Sequence, residues 1–429
     1  MRILHVNKFL YRRGGAEGYM LDLTALQRAA GHDVELFGMQ HPDNIAELAL
    51  ADTFAPHVEL EPPPRWPAAA SAAARMVWSP ASARGLSQAV ARFRPDVVHC
   101  HNIYHQLSPS ILRPIRRAGV RCVMTLHDYK LACPSYQLLD HGTLCQRCVS
   151  GSALNAALRR CKGGSLGASS LLALESSIHR LTGAYDPVDV FISPSRFLAE
   201  VMRRNGIEPE RLVVLNHFVE PAADRPAEAS AVAASQTGAR NGFVFAGRLS
   251  PEKGVDTAIR AVAMLSDDVH LHVAGDGPAR GELEAVAAQL APGRVTFHGR
   301  LDKQALGSLV ARSTATVVPS RWHENQPMTI LESYAAEVPV VATDLGGMPE
   351  LVRDGVDGFV VPHDDPSALA AALGHLQGSP KLALQMGVSG RARLQKEFDP
   401  TLHLRRLDAI YRGDLPDGKL PLDRLEELA

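Results

Sequence analysis

Two glutamates flank a proline in the stretch RWHENQPMTILESYA, where Glu324 and Glu332 stand eight positions apart. Pro327 between them suits the first position of a helix, because its fixed φ is already helical and it has no N–H group to satisfy. Asn325 and Gln326 precede it as candidate capping groups. Glu332 would then lie roughly 7 Å along the helix axis from the proline. Since a helix start suits a phosphate, the pattern favours a ligand with hydroxyls on both sides of a diphosphate, although two ordinary surface acids also explain it.

Two cations follow the first β-branched run of the second half, in the loop GRLSPEKGVDTAI. Gly247 permits close approach of the backbone, and Arg248 and Lys253 stand at the end of the predicted strand. A helix is predicted from about Gly254 onward. Two positive groups beside a helix N-terminus suit a diphosphate and stabilise it as it departs with growing negative charge. Solvated surface charges are the alternative interpretation of these two residues.

Glycine turns end the next two predicted strands of the second half, in VAGDGP and FHGRL. The first turn contains Gly275, which a purely structural role explains equally well. The second contains Gly299, followed by Arg300 and Leu301, at a point where a flat base would fit against the backbone. Both turns are therefore candidate binding loops for the same ligand.

Polar residues also stand at strand ends in the first half of the chain. Gly14 and Gly15, in YRRGGAEGYM, would let a loop approach phosphates and an acceptor molecule, although a glycine pair is also an ordinary turn. His127 ends the run CVMTLHD and is expected to face the ligand, the alternative being a hydrogen-bonded structural histidine. His101 and Asn102 close another strand, and we expect them to shape the acceptor side.

These residues follow short β-branched runs that alternate with helix-sized segments. Such alternation predicts parallel sheets covered by helices on both faces. A polar segment at 221–242 interrupts it and is interpreted as a linker. We therefore predict an α/β protein with two Rossmann-like, doubly wound domains, 1–220 and 243–400, that face each other across a ligand cleft. A helical tail at 401–429 is expected to pack back on the first domain.

The composition of the 429 residues, 46% hydrophobic and 21% charged, is typical of a soluble globular protein. A formal net charge of −1 gives no general attraction to nucleic acid, so no nucleic-acid partner is expected. No apolar stretch approaches the ~20 residues of a membrane span, and no signal peptide is recognised, so the cytoplasm is the expected location. Basic clusters such as RPIRRAGVR and RRCK are ordinary solvated arginines in one interpretation, and peripheral contact with a membrane or an anionic acceptor is the alternative.

Taken in order, the motifs GRLxxEKG, AGDGP, HGRL, E-x7-E and GGMPELVRDGVDGFVV resemble the nucleotide-sugar half of the family 4 retaining glycosyltransferases, which have the GT-B fold. The resemblance covers nearly the whole chain and is most specific in the second domain. It implies that Arg248 and Lys253 hold the diphosphate of a nucleotide sugar such as a UDP-sugar. Glu324 would hold hydroxyls of the donor sugar and Glu332 the ribose. His127 would contact the transferred sugar near the reacting carbon.

The same resemblance implies the reaction and its partners. A sugar would pass, with retention of its anomeric configuration, from a nucleoside-diphosphate sugar to a lipid-linked glycan, a polysaccharide or a small natural product. No D-x-D pair occurs in the sequence, so no catalytic metal is expected. A sugar-nucleotide epimerase of the same fold and a catalytically silent, zinc-stapled binding module are the alternatives. Further donor contacts are expected from Gly14, Gly15, Gly247, Gly275, Gly299, Arg300, Leu301, Asn325, Gln326, Pro327 and Met328.

Four of the six cysteines cluster in a segment at 129–165. Cys145 and Cys148 form a C-x2-C pair of the kind that binds zinc, and Cys133 and Cys161 stand on either side of it. A site of four thiolates would staple a segment that has few apolar residues, and it would leave no open position for catalysis. Free thiols and disulfides are the alternatives, although a reducing compartment disfavours disulfides. Family 4 relatives carry a similar HDYKLxCP insertion, which implies a shared structural role.

Overall fold

The structure is a computed structural model that describes residues 1–59, 68–219 and 240–414. The chain divides into two compact units, the first formed by Met1–Asn216 with Thr401–Ala429 and the second by His217–Pro400. The sequence prediction set the corresponding boundaries at 220 and 400. Most of the predicted linker, residues 221–239, and the last part of the tail, residues 415–429, lie outside the described residues.

A sheet of parallel strands forms the centre of the first unit, as the alternation predicts. The strands of this unit are β1 (Arg2–Val6), β2 (Asp33–Phe37), β3 (Val97–Cys100), β4 (Arg121–Thr125), the short β5 (Leu139–Asp140) and β6 (Thr143–Leu144), β7 (Val190–Ser193) and β8 (Leu212–Val214). Within the described residues the sheet has the order β2-β1-β3-β4-β7-β8, and β5 and β6 form a separate antiparallel hairpin. Every residue of β3 and β7 is buried, as expected for strands covered on both faces.

The first unit also contains helices, several of which pack against this sheet. They comprise Gly15–Ala29, Ala68–Val77, Pro80–Phe93, Leu112–Arg117, Asn155–Leu158, Leu166–Leu181 and Arg196–Arg204. The helix Pro400–Arg412 joins them from the far end of the chain. Its Tyr411 hydroxyl lies 2.6 Å from Nδ1 of His99, and the Ile410 carbonyl accepts a hydrogen bond from Nε of Arg121 at 3.1 Å. The C-terminal helix is therefore an integral part of the first unit.

The second unit repeats the same plan. Its strands are β9 (Phe243–Ala246), β10 (Leu271–Ala274), β11 (Val295–Gly299), β12 (Ala315–Val318), β13 (Val340–Thr343) and β14 (Gly358–Val361). They pair in parallel in the order β11-β10-β9-β12-β13-β14. The helices are Val255–Ala263, Arg280–Leu290, Lys303–Arg312, Met328–Ala335, Met348–Leu351, Pro366–Gly378 and Pro380–Glu397.

The strand order reverses its direction between β9 and β12 in the second unit and between β1 and β3 in the first. In open parallel sheets, ligands bind in the crevice outside the carboxyl ends of the strands at such a reversal, because the two adjacent loops diverge there. The topology therefore singles out the loops that follow these four strands. In the part of the chain that the structure describes, no helix has both the length and the apolar character needed to cross a membrane.

Candidate functional site

The loops after β9 and β12 meet at the reversal of the second sheet. A single turn of 3-10 helix, Pro251–Lys253, ends at Gly254, whose φ of 64° is the left-handed conformation that glycine tolerates. A Cβ atom on Gly254 would lie 2.0 Å from the carbonyl oxygen of Pro319, directly after β12. Gly254 therefore brings Lys253 into the loop that carries Glu324, although the two residues are 71 positions apart.

Lys253 and Glu324 form an ion pair, with 2.7 Å between Nζ and Oε1. The Ser320 hydroxyl donates a second hydrogen bond to the same oxygen at 2.6 Å. Glu324 is 5% exposed, and burial by itself would raise its pKa. The charge of Lys253 and the hydrogen bonds from Lys253 and Ser320 outweigh that effect and hold the pKa of Glu324 below its usual value. The site thus contains a buried, ionised carboxylate.

Two glycines of the GGMPELVRDG stretch hold the backbone of Glu324. The Gly347 N–H donates to the Glu324 carbonyl oxygen at 2.8 Å. Gly346 has a φ of 63°, and a Cβ atom there would lie 2.2 Å from that same oxygen. The sequence motif alone indicated a family resemblance and no role for these two glycines. The positive φ of Gly346 and the close approach of both glycines to Glu324 are tertiary features, so local sequence had no specific signal for them.

Arg321 is a further residue of this site, and its sequence context did not predict it. Its Nη2 atom lies 2.6 Å from a carboxylate oxygen of Asp256 and 2.8 Å from one of Asp364. It also donates to the Thr257 hydroxyl at 2.8 Å. Arg321 therefore joins the helix after Lys253 to the loop that carries Glu324. The acids that bind it are distant in sequence.

The helix after Glu324 begins one residue later than predicted. Pro327 has a ψ of 113° and is the N-cap, so Met328 is the first helical residue. Pro327 itself occupies the N-cap position and makes no side-chain cap hydrogen bond, so neither Asn325 nor Gln326 is the N-cap residue. Gln326 is instead buried, accepting from the His217 N–H at 2.7 Å and donating to the His217 carbonyl at 3.1 Å. Glu332 lies in the helix and is exposed.

The three glycine turns of the second unit meet backbone to backbone. Gly275 has a φ of 138°, and a Cβ atom on it would lie 1.8 Å from the Gly247 carbonyl oxygen. Its N–H donates to the Gly299 carbonyl at 2.7 Å. The loops after β9, β10 and β11 therefore form one continuous glycine-lined edge. At that edge Arg248 and Arg300 are exposed, whereas Leu301 is partly buried.

In the first unit, His127 follows β4 and is partly exposed. Its Nε2 atom lies 3.0 Å from Nδ1 of His101, which follows β3. Burial lowers the pKa of His127 to about 3, so the ring is neutral at neutral pH. The Asn102 N–H donates to the side-chain oxygen of Asn7 at 2.9 Å, which joins the loops after β1 and β3. The predicted strand-end residues His101, Asn102 and His127 thus follow two adjacent strands, β3 and β4.

The glycine pair of the first unit has ordinary backbone geometry. Gly14 is the N-cap of the helix Gly15–Ala29 and has a φ of −162°, which is extended. A Cβ atom on Gly14 would lie 3.5 Å from an Oε2 atom of Glu17, which is normal van der Waals contact. Local strain therefore does not require glycine at Gly14.

The four clustered cysteines surround the β5–β6 hairpin and the short helix Asn155–Leu158. Cys133 and Cys148 are buried, and Cys145 and Cys161 are partly exposed. Burial, and after it the thiolates of Cys133, Cys145 and Cys161, together raise the pKa of Cys148 to about 12, so the four lie within electrostatic reach of one another. Among the described residues, the side chains of His5, His99 and His101 place three potential metal-ligand atoms within 4.8 Å of one another. The four cysteines do not meet this distance criterion.

The chain matches two family models that together span most of its length. Glycosyltransferase Family 4 matches residues 13–223, and Glycosyl transferases group 1 matches residues 240–378. D-inositol 3-phosphate glycosyltransferase of Streptomyces scabiei is 32% identical over 212 residues, which are 46% of this chain and 47% of that protein. The chain thus matches about half the length of that relative. Alpha-maltose-1-phosphate synthase of Mycobacterium tuberculosis is 28% identical over 419 residues, 93% of this chain and 95% of that protein.

Solved structures agree with this assignment. Sucrose-phosphate synthase of Thermosynechococcus elongatus has a TM-score of 0.72 at 18% identity, covering 96% of this chain and 98% of that one. Anabaena HepE in complex with UDP-glucose has a TM-score of 0.66 at 18% identity, covering 96% and 100%. Likeness at this level of identity shows the fold. The chain therefore combines a family 4 glycosyltransferase domain and a group 1 glycosyltransferase domain in the GT-B fold.

Proposed function

We propose that the protein is a retaining glycosyltransferase that moves a sugar from a nucleoside-diphosphate sugar to a hydroxyl of an acceptor. The observation that carries this proposal is the Lys253–Glu324 ion pair at the reversal of the second sheet, where the topology favours ligand binding. A cation fixed by a buried carboxylate is preorganised for an anionic ligand, because it needs no reorganisation when negative charge develops beside it.

Each side chain of the site has a defined role in this proposal. Lys253 and the exposed Arg248 stabilise the diphosphate as it leaves, and Glu324 accepts hydrogen bonds from sugar hydroxyls. The exposed Glu332 binds the ribose. His127, neutral in the first unit, contacts the transferred sugar. Since cationic side chains offset the charge of the diphosphate, no catalytic metal is required.

The relatives support the donor class. HepE is crystallised with UDP, and also with UDP-glucose, which makes a UDP-sugar the first donor to test. Two relatives are named for phosphorylated compounds, D-inositol 3-phosphate and alpha-maltose-1-phosphate. Phosphorylated polyols therefore join lipid-linked glycans, polysaccharides and small natural products as acceptors to be tried.

The experiment that tests this function is a donor and acceptor screen with the purified chain. Nucleotide sugars are first ranked by thermal stabilisation, because a bound donor raises the melting temperature by mass action. The best donor is then incubated with each acceptor class, and the released nucleotide and the anomeric configuration of the product are measured. Conversion of the donor into an epimer without transfer would establish the epimerase instead. A silent binding module would release no nucleotide with any acceptor.

We also propose a structural zinc ion held by Cys133, Cys145, Cys148 and Cys161. Four thiols within electrostatic reach suit zinc, because its charge would offset the burial and the mutual repulsion that raise the pKa of Cys148. The ion would staple the hairpin to the adjacent helices. Metal analysis of fresh protein should find about one zinc per chain, and Cys148→Ser should lower yield and stability more than it changes the donor KM. Zinc-free protein with four titratable thiols would contradict the proposal.

Peripheral membrane contact from a cytoplasmic location is a further proposal. Leu174 and Leu181 on the helix Leu166–Leu181 are 54% and 88% exposed, and their spacing of seven places them on one face. The adjacent segment exposes Arg147 and Arg160. An apolar face beside cations suits a bilayer rich in anionic lipid. Flotation with anionic vesicles, but not with neutral ones, should depend on these leucines. Equal recovery of a Leu174→Ser, Leu181→Ser double variant would refute it.

A further inference from the structure

Three histidines lie on one face of the two outermost strands of the second sheet. β11 is the strand at one edge of this sheet, and β10 is its neighbour. His272 belongs to β10 and His298 to β11, and His270 directly precedes β10 on the same face, because side chains two positions apart in a strand point the same way. Leu271 and Val273 point to the opposite face, where they are buried in the apolar core. Strand alternation therefore gathers the imidazole rings on one side of the sheet.

This histidine face is open to solvent at the edge of the sheet. Thr296 and His298 on β11 are exposed, and His272 is partly buried. Val244, which is paired with His272 in the register of β9 and β10, is instead fully buried in a cluster that includes Leu309. The face is thus covered over β9 and accessible to a solute over β11.

Two of the rings approach each other closely across the strands. Nδ1 of His272 lies 3.1 Å from Nε2 of His298, and the ring centroids are 5.3 Å apart. Two nitrogens that bind one ion at about 2.0–2.1 Å are about 2.9 Å apart when they subtend a right angle and about 3.3 Å apart at the tetrahedral angle. The observed spacing lies between these values. Since His298 is exposed, its ring can turn until both nitrogens face one ion.

We propose that His272 and His298 form a binding site for a divalent transition-metal ion of the kind that imidazole ligands favour, such as zinc or copper. Each ring binds in its neutral form. The ion replaces the hydrogen bond between the rings, and the proton of that bond moves through solvent to the outer nitrogen of its own ring. Water completes the coordination, because the face is open to solvent. The bound ion links the edge strand β11 to β10 through side chains as well as through backbone hydrogen bonds.

His270 is a neighbour of this pair that has a different partner. Its Nε2 atom lies 2.7 Å from the Thr296 hydroxyl, and its ring centroid is 4.9 Å from that of His272. The hydrogen bond to Thr296 holds His270 beside the pair without making it a ligand. His270 therefore provides a control from within the same face.

A second group of histidines, in the first unit, has to be distinguished by the probe. Ligand atoms of His5, His99 and His101 lie within 4.8 Å of one another, and each residue is 2% exposed or less. The ring nitrogens of His99 lie 2.6 Å and 2.7 Å from the hydroxyls of Tyr411 and Thr125. A metal ion that already carries a chelating ligand is too bulky to enter this buried group. Such a chelate therefore reports on exposed imidazoles.

The test is electron paramagnetic resonance of the full chain titrated with copper(II) iminodiacetate, which leaves coordination positions for protein ligands. The wild type should bind about one chelate per chain, with the hyperfine signature of two imidazole nitrogens. His272→Asn and His298→Asn should each weaken binding by at least about tenfold, the lower end of what the loss of an outer-shell partner costs at a metal site. Copper bound by thiol sulfur has a different signature and would persist in both variants.

His270→Asn and His375→Asn are the matched controls. The first removes the neighbouring imidazole, and the second removes an exposed histidine elsewhere in the same unit. Both should bind the chelate as the wild type does. No binding of two imidazoles by the wild type would overturn the proposal. It would also be overturned by undiminished binding to folded His272→Asn or His298→Asn, or by a loss in either control as large as that in His298→Asn. The proposal is independent of the proposed function, so a protein that transfers no sugar should bind the chelate equally well.

Discussion

Replacing Lys253 by methionine tests two roles of this lysine, its ion pair with Glu324 and its proposed contact with the diphosphate. The variant keeps the length of the side chain but leaves Glu324 buried beside Ser320 without its cation. Removing one partner of a buried ion pair typically costs about 3–5 kcal/mol. The Lys253 side chain is 22% exposed, so water partly screens the pair, and we expect a loss of about 2 kcal/mol in the free energy of unfolding. For a domain of this size, that corresponds to a fall in melting temperature of about 4–8 °C.

The assay is donor-free thermal unfolding of the wild type, Lys253→Met, Glu324→Gln and the double variant. Lys381→Met is the matched control, because Lys381 is an exposed lysine of the same unit. The double variant should be less destabilised than the sum of the single variants, since no unpaired carboxylate remains. Additive effects, or a Lys253→Met shift no larger than that of the control, would refute the ion pair as a structural element.

Activity provides the second readout of the same lysine. If Lys253 stabilises the departing diphosphate, Lys253→Met should lower kcat by about 10²–10³ with a modest change in donor KM. Assays must be run below the lowered melting temperature, so that lost activity is not lost folding. A folded variant with wild-type kcat would remove Lys253 from the donor site while leaving its structural role standing.

Gly346→Ala should lower both kcat and melting temperature, because the new Cβ atom would lie 2.2 Å from the Glu324 carbonyl oxygen. Gly355→Ala is the control, because Gly355 also has a positive φ but has nothing within 4 Å of an added Cβ atom, and it should lower the free energy of unfolding in urea by only about 1 kcal/mol. Equal effects of the two changes would contradict this. His5 and His403 have pKa values lowered to about 4, below the unfolded value of 6.5. Between those pH values the unfolded chain binds more protons than the folded chain, so the free energy of unfolding should fall as pH falls, by up to about 1.4 kcal/mol per pH unit for each histidine. A urea midpoint that stays constant between pH 6.5 and 4.5 would refute this prediction. Transfer should survive brief EDTA treatment, and its loss with prompt recovery on adding Mg²⁺ or Mn²⁺ would show that a metal is required. Glu332→Ala should raise donor KM with little change in kcat, as initial rates will show.

Periodicity made the elements of this protein predictable. The runs RILHVN, DVELFG, DVVHCHN, CVMTLHD, DVFISPS and RLVVLNH each contain a strand of the first sheet, and the prediction of two parallel α/β sheets is confirmed. β-Branched runs between helix-sized segments specify strands locally, and parallel strands require a crossover between them. The residues at strand ends could be predicted from the strands, because a glycine or a polar side chain that follows a buried strand must lie at the carboxyl end of that strand.

The neighbours of those residues were not predictable in the same way. Pro327 illustrates a local miss, since its ψ of 113° places it before the helix although its φ suits a first turn. Gln326 was assigned to a cap, yet its amide is satisfied by the backbone of His217, 109 positions away. No local sequence pattern encodes a partner at that distance. The Gln326 amide could bond the helix start or the His217 backbone, and packing decides between the two.

The sequence by itself therefore determined which side chains stand at the carboxyl edges of the two sheets, and that Glu324, Lys253 and His127 are among them. Only the tertiary structure decided what each of them contacts there. Placing β9 beside β12 buries Glu324 against Lys253, and desolvation makes that pairing obligatory. Placing β1, β3 and β4 side by side joins His127 to Gln27 through two other histidines. Charge pairing and hydrogen-bond partners depend on burial and on residues that are distant in sequence, and folding alone brings these together.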